Sequence, residues 1–193
     1  MSFVGGVGYS NIDLIYFGLD RLPDKGEEIF ARGFSMQFGG GIPATMINLS
    51  RLGVESRIIT FAGHDLFSEF VKKTLNSYPV KTVNLYKGNK MPVVLSSTLL
   101  YCDDRSFISY TDGMDLNDAV MDEVYENLKG AYVVDMHVGF LDVYKRLKKD
   151  GCIQIFDTGW EDDLTLEKYR DYLEIADYYI PNQKEAMKIT GTS

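Results

Sequence analysis

Residues 131–157, AYVVDMHVGFLDVYKRLKKDGCIQIFD, decide the fold class of this chain. Two apolar runs, 131–134 and 153–156, predict strands that are buried on both faces, and the amphipathic segment between them predicts a helix. A strand, a helix and a second strand in this order form a βαβ unit, in which the two strands are parallel. Each strand ends in a carboxylate, Asp135 or Asp157, at the sheet edge where ligands of open α/β folds gather.

The same alternation of strands and helices extends to both sides of this unit. Further helices are predicted over 43–53, 66–76, 118–128, 166–176 and 183–189, and further strands over 2–8, 12–17, 27–38, 57–61 and 177–180. Repeated units of this kind require a parallel sheet with helices on its faces.

A β-rich block interrupts the alternation. Two strands are predicted over 92–101 and 106–110, joined by an acidic turn at 102–105. Together with the extended N-terminal segment they predict a small β-sheet lid, formed by about 10–38 and 87–110. The predicted fold class is therefore α/β, with a mostly parallel sheet flanked by helices and a small β-sheet lid.

Composition excludes several classes of protein. The chain has 193 residues, 45% of them hydrophobic and 25% charged, which is typical of a globular protein. Its net charge of -8 and the lack of any basic run argue against nucleic acid as a partner. The N-terminus has no long apolar run, so we expect no membrane association and a cytoplasmic location. Cys102 and Cys152 are too few for a disulfide framework, and we expect both to be reduced thiols in strands.

Three consecutive glycines, Gly39, Gly40 and Gly41, directly precede the first predicted helix. Backbone N–H groups at a helix start lack intrahelical acceptors, so a hydroxyl-rich or anionic ligand can approach them closely. The alternative is a plain turn between strand and helix. The earlier glycines at 5–8 do not form a dinucleotide fingerprint, because the residues after them alternate like a strand.

Asp13 stands between two apolar residues, where a carboxylate either faces a polar cavity or caps a turn. The order of strand, Asp13, glycines and helix, followed by Asn182-Gln183-Lys184-Glu185, resembles the PfkB or ribokinase family of carbohydrate kinases. The resemblance covers essentially all of residues 1–193. Its most specific parts are the Gly39-Gly40 segment, whose helix ends at 51–53, and an N-x-x-E motif formed by Asn182 and Glu185.

The resemblance implies a sugar site and a metal and phosphate site. Asn11, Asp13 and the backbone of Gly39, Gly40 and Gly41 would bind the sugar, with the Asp13 carboxylate accepting hydrogen bonds from two hydroxyls. Asn182 and Glu185 would organise hydrated Mg²⁺ beside the phosphates of ATP. The same two residues also fit a helix capping box, and both roles are compatible.

Several positions depart from the family pattern or remain open. Ala44 stands where the family has an Asn that holds the sugar, and Asn48, one helical turn later, is either a replacement contact or a solvated residue. Asp157 either lines the cleft between sugar and nucleotide or begins a loop. Arg105 is expected in a solvated turn, with a contact to an anionic sugar as the alternative. Asp65 is expected to cap the next helix.

The family's Gly-Ala-Gly-Asp motif, which carries the catalytic base, would follow the N-x-x-E segment, and the given sequence ends at Ser193 without it. We therefore expect residues 1–193 to be an incomplete ribokinase-like domain, with no catalytic base of its own. The base and the ATP-binding part would lie in an absent C-terminal part.

The resemblance implies ATP-dependent phosphorylation of a sugar hydroxyl, with Mg²⁺, by the complete enzyme, and we expect residues 1–193 alone to be inactive. The alternative is a non-catalytic sugar-binding or subunit-association module. A homodimer through the lid is also expected, with residues 93–95 and 107–108 as an apolar edge.

Overall fold

A computed structural model describes residues 2–102, 104–159 and 161–192. Within them the strands are β1 (Phe3–Val7), β2 (Asn11–Leu19), β3 (Gly33–Gly39), β4 (Ser56–Thr60), β5 (Lys81–Asn84), β6 (Val94–Tyr101), β7 (Asp104–Tyr110), β8 (Ala131–Met136), β9 (Ile153–Phe156) and β10 (Tyr178–Tyr179). The helices are α1 (Gly41–Arg51), α2 (Leu66–Asn76), α3 (Asp118–Leu128), α4 (Leu141–Lys149), α5 (Leu166–Ile175) and α6 (Gln183–Thr190).

The larger sheet has six parallel strands in the order β10-β9-β8-β1-β4-β5. Strands β8 and β9 are the two apolar runs of the predicted βαβ unit, and Val134 and Phe156 in them are fully buried. All carboxyl ends of these strands therefore meet at one edge of the sheet.

Helices cover the six-stranded sheet from both sides. Ile42 and Met46 of α1 pack with Val71 of α2 in one buried cluster. Tyr144 of α4 and Phe156 belong to the cluster on the opposite side. This arrangement confirms the α/β fold class with a parallel sheet between helices.

A separate sheet of four strands, in the order β3-β2-β6-β7, accounts for the β-rich segments of the sequence. Strand β2 is antiparallel to β3 and parallel to β6, and β6 is antiparallel to β7. The register places Asp13 beside Gln37 and Ser96, and Ser96 beside Ser109. Because paired residues share a face, these polar side chains lie on one side of the small sheet.

Some element boundaries differ from the sequence prediction. Residues 27–32 have no strand partner, so β3 begins only at Gly33. The hairpin turn is shorter than predicted, because Asp104 and Arg105 already belong to β7. Asp103, also part of the predicted turn, lies outside the described residues. Strand β5 was not predicted, since its sequence KTVN is short and has no apolar alternation.

Two further expectations are wrong. Residues 93–95 do not form an edge of the small sheet, because β6 is paired on both sides, with β2 and β7. Cys102 lies in the turn after β6 with φ 48°, not in a strand. Cys152 is also outside a strand, because β9 begins at the next residue. Cys152 is buried, and both cysteines are free thiols, as expected.

Two local expectations are confirmed. The Asp65 carboxylate caps α2 by accepting hydrogen bonds from the backbone N–H groups of Phe67 and Ser68, both at 3.0 Å. Burial alone would raise the pKa of Asp65, but its hydrogen bonds with Ser68 and Phe67 hold the pKa below the usual range. Helix α1 ends at Arg51, and Gly53, two residues later, has φ 83° and permits the chain to turn there. Among the described helices, none has the length and apolar character needed to cross a membrane.

Candidate functional site

Asp13 lies in β2 of the four-stranded sheet and is hydrogen-bonded to Asn11. The Nδ2 of Asn11 donates a hydrogen bond to Asp13 Oδ1 at 2.8 Å, and the hydroxyl of Ser96 donates to Asn11 Oδ1 at 3.3 Å. Burial raises the pKa of Asp13, while the Asn11 hydrogen bond and the charge of Arg105 act to lower it. The structure thus brings Asn11 and Asp13 together, and their role in binding a sugar remains a prediction.

Two of the three glycines next to Asp13 have a structural reason to lack a side chain, and the reasons differ. A Cβ on Gly39 would lie 2.7 Å from Asp13 Oδ2. Gly40 has φ 102°, and a Cβ there would lie 2.9 Å from the carbonyl oxygen of Tyr9. Gly41 has open space around it, so no packing contact requires a glycine at that position.

The start of α1 leaves backbone donors open beside these glycines. Gly40 is the N-cap residue and supplies no side-chain hydrogen bond. By their position in the first turn, the N–H groups of Gly41 and Ile42 have no intrahelical acceptor, and Pro43 has no N–H. A hydroxyl or anion can therefore bind the backbone next to the Asp13 carboxylate.

A second group of carboxylates lies at the carboxyl ends of β8 and β9. Burial raises the pKa of Asp135 to about 6, against a lowering contribution from Thr45 of α1 and a further raising contribution from Asp157. Burial also raises the pKa of Asp157, and the charge of Glu185 in α6 raises it further. Asp157 is thus within electrostatic reach of both Asp135 and Glu185.

Asn182 and Glu185 form a complete capping box at the start of α6. Asn182 Oδ1 accepts a hydrogen bond from the Glu185 N–H, and Glu185 Oε2 accepts one from the Asn182 N–H, both at 3.0 Å. Glu185 is 5% exposed. The structural role considered for this motif is confirmed, and it leaves Glu185 Oε1 for another partner.

The donor set beside the capping box is compatible with hydrated Mg²⁺. Asp157, Asn182 and Glu185 offer carboxylate and amide oxygens, which Mg²⁺ prefers, and a cation would relieve the repulsion between the two carboxylates. Direct coordination would compete with the capping hydrogen bonds, whereas contacts through water would not. Within the described ranges, no group of three His, Cys, Asp or Glu side chains is placed to hold a metal ion.

Asn48 and Arg105 have positions that the sequence did not define. Asn48 is exposed on α1, and its role in binding remains a prediction. Arg105 lies in β7 rather than in a turn, with its guanidinium 5.5 Å from the Phe107 ring centre, and its charge reaches Asp13.

Asp135 and Thr45 interact with each other at this edge, and sequence reasoning selected neither as a candidate site residue. The signal for Asp135 was present, because a buried apolar strand ended in a carboxylate. Thr45 gave no such signal, since a threonine inside a helix is ordinarily a surface residue. Only the packing of α1 against β1, together with the pairing of β1 with β8, reveals their proximity.

A ribokinase-like α/β fold, with polar groups collected at the carboxyl edge of its sheet, defines the class of this protein. The chain belongs to the pfkB family of carbohydrate kinases, whose sequence profile matches residues 1–193. It is 31% identical over 127 residues to a Pyrococcus horikoshii protein named as a sugar kinase, an alignment that covers 64% of this chain and 39% of that protein.

Solved structures agree with this fold. Arabidopsis thaliana ribokinase, complexed with ribose and ATP, is similar with a TM-score of 0.76 and 23% identity over 99% of this chain and 64% of that one. Giardia lamblia ribokinase is similar with a TM-score of 0.82 and 19% identity over 100% of this chain and 60% of that one. The chain thus spans less than two thirds of the length of each of these relatives.

Alanine substitutions should separate the roles of the glycines. We expect Gly40→Ala to destabilise the fold by about 1 to 3 kcal/mol, because it adds a side chain at a positive φ and against the Tyr9 carbonyl. Gly39→Ala should change stability less, because the Asp13 carboxylate can move aside, which would disturb the site instead. Chemical denaturation measures the first effect, with Gly41→Ala as a matched control. Equal losses of stability at positions 40 and 41 would contradict this explanation.

Ionisation of Asp135 should lower the free energy of unfolding at neutral pH. Its pKa is about 6 in the folded state against 3.8 for a free side chain, so the folded state binds more protons between these values. Stability contributed by protonated Asp135 is therefore lost as pH rises from about 4 to above 6, by on the order of 2 to 3 kcal/mol.

Asp135→Asn removes this titration. We expect the stability of Asp135→Asn relative to the original protein to increase between pH 4.5 and pH 7, as measured by urea denaturation. The matched control is Asp171→Asn, whose side chain is 60% exposed on α5. If Asp135→Asn and the original protein have parallel stability curves, Asp135 does not titrate as described.

Proposed function

We propose that this chain supplies the sugar site and the metal and phosphate side of an ATP-dependent carbohydrate kinase. The observation that carries the proposal is the arrangement of Asp13, held by Asn11, against Gly39 and the open start of α1. A carboxylate beside free backbone donors suits a polyol, which presents hydroxyls that both donate and accept.

The chemistry would be phosphoryl transfer from ATP to a sugar hydroxyl. Asp13 would orient the sugar by accepting hydrogen bonds from its hydroxyls, with the Gly39, Gly40 and Gly41 backbone beneath it. Asn182, Glu185 and Asp157 would hold hydrated Mg²⁺, which supplies neutralisation of phosphate charge when bound. The four-stranded sheet would act as a lid that excludes water, a competing acceptor.

The base and the nucleotide pocket belong, in this proposal, to a C-terminal part of the protein. Its support is the open face of the six-stranded sheet at β9 and β10, where Ile153, Tyr178 and Ile180 are 39%, 60% and 58% exposed. Parallel sheets are normally covered on both faces, so a further layer would complete this one. Asp157 is four residues after Ile153, so the two side chains face the same side of the sheet. Asp157 would therefore lie at the edge of that added layer.

Sugar binding tests the proposal directly. Calorimetry with D-ribose, D-fructose and D-glucose should detect binding by this chain, and Asp13→Ala should weaken it by about 1.5 to 3 kcal/mol, because a charged acceptor is lost. Asp171→Ala on α5 is the surface control.

Release of ADP from ATP should require both the sugar and the C-terminal part. An unchanged affinity after Asp13→Ala would remove Asp13 from the sugar site, and binding without turnover in the complete protein would favour a sugar-binding module instead.

A homodimer through the small sheet is the second part of the proposal. Support comes from β7, an edge strand whose residues are all exposed, with Phe107 and Ile108 at 53% and 72% exposure. An exposed apolar edge strand favours association with another chain. Light scattering at micromolar concentration should give a dimer mass, and Ile108→Lys should reduce it to that of a monomer. A monomer mass for the original protein would refute this part.

A further inference from the structure

We propose that Thr45 and Asp135 form a second hydroxyl-recognition pair in the sugar site and determine which polyol the site accepts. The inference rests on the proposed function, because it adds residues to the same site. It also offers a replacement for the polar side chain that Ala44 lacks, at the next position along α1.

The direction of the Asp135 side chain follows from the strand register. Asp135 in β8 is paired with Gly6 in β1, so the two residues face the same side of the sheet. A Cβ on Gly6 would lie 2.5 Å from Ile42 Cγ2 and 3.5 Å from Met46 Cε, both of α1. That side of the sheet is therefore the one covered by α1, and Asp135 points towards this helix.

Thr45 lies on α1 between the two residues that cover Gly6. Its single hydroxyl proton is donated either to the Gly41 carbonyl oxygen, 3.0 Å away, or to the Asp135 carboxylate, and the second arrangement acts to lower the pKa of that carboxyl. A hydroxyl has one proton but two acceptor lone pairs. Thr45 can therefore accept a hydrogen bond from a sugar hydroxyl while its own proton stays with the protein.

None of the groups that shift the pKa of Asp135 is a cation, so an ion pair does not account for a carboxylate at this position. Burial and the carboxylate of Asp157 both act against ionisation of Asp135, and Thr45 is the hydrogen-bonding side chain that acts in its favour. A carboxylate that costs stability in this way is typical of a functional position. A sugar hydroxyl donating to Asp135 would supply the hydrogen bond that its ionised form needs.

Two substitutions test the pair with little change of shape. Thr45→Val removes the hydroxyl, and Asp135→Asn removes the charge. Calorimetry with D-ribose, D-fructose and D-glucose should show weaker binding of the preferred sugar, by about 2- to 10-fold for Thr45→Val and about 10- to 100-fold for Asp135→Asn. Thr45→Ser, which keeps the hydroxyl, should retain the original affinity.

Monodeoxy analogues of the preferred sugar provide the sharper measurement. The analogue that lacks the recognised hydroxyl should bind the original protein and Asp135→Asn with equal affinity, whereas the other analogues should still distinguish them. Thr74→Val on α2 and Asp171→Asn on α5 are the matched controls, with no expected change in affinity.

The outcomes separate this inference from the proposed function. If the original protein binds a sugar and both Thr45→Val and Asp135→Asn bind it equally well, the recognition pair is refuted and the sugar site stands. If the original protein binds none of the three sugars or their analogues, the proposed function and the pair both fail. A loss of affinity in Asp13→Ala without any in Asp135→Asn would likewise restrict the site to Asp13 and the glycines.

Discussion

The close packing of α1 against β1 is the constraint on which the candidate site depends. Gly6 and Gly8 face Ile42, and a Cβ at either glycine would lie 2.5 or 2.9 Å from an Ile42 side-chain carbon. Since both positions lack side chains, the helix can lie directly on the strand. Its first turn then reaches the carboxyl edge of the sheet. There the start of the helix lies next to Gly39 and Asp13 on one strand and next to Asp135 on another.

This packing places groups of opposite preference at one edge. The start of α1 favours negative charge, and the parallel strands deliver Asp135 and Asp157 to the same edge from the neighbouring positions β8 and β9. Burial raises the pKa of both carboxyls, and the charge of Asp157 raises that of Asp135 further while the charge of Glu185 does the same at Asp157. Ionisation of these two groups therefore lowers the stability of the folded chain. By contrast, the hydrogen bonds of Asp65, an acid with a purely structural role, lower its pKa. The two kinds of carboxylate are thus distinguished by their surroundings and not by residue type.

The sequence was sufficient for the fold class because long apolar runs and helical periodicity act locally. The same holds for the Asn182 and Glu185 capping box and for the Asp65 cap, whose partners lie within three residues. Features that depend on distant pairing could not be predicted in this way. Strand β5 is stabilised by pairing with β4 rather than by its own sequence pattern. Residues 93–95 are not at an edge because β7 pairs with β6, and that pairing is not visible in the local sequence. The approach of Thr45 to Asp135 likewise requires the β1 and β8 register.

The departure at Ala44 changes the kind of recognition that the site can perform. An alanine at the first turn of α1 offers no hydrogen bond, so selectivity has to come from groups on either side of it. Asp13 is already oriented by Asn11 and Ser96, which restricts the hydroxyl geometry it accepts. Asp135 of the six-stranded sheet faces α1, and Thr45 on that helix acts to lower its pKa. Two carboxylates that face one ligand from separate sheets would bind best the polyols whose hydroxyls have the matching spacing, and that spacing differs among polyols. Movement of the small sheet would alter the position of Asp13 relative to Asp135, so closure and substrate selection would be coupled through the same pair of acids.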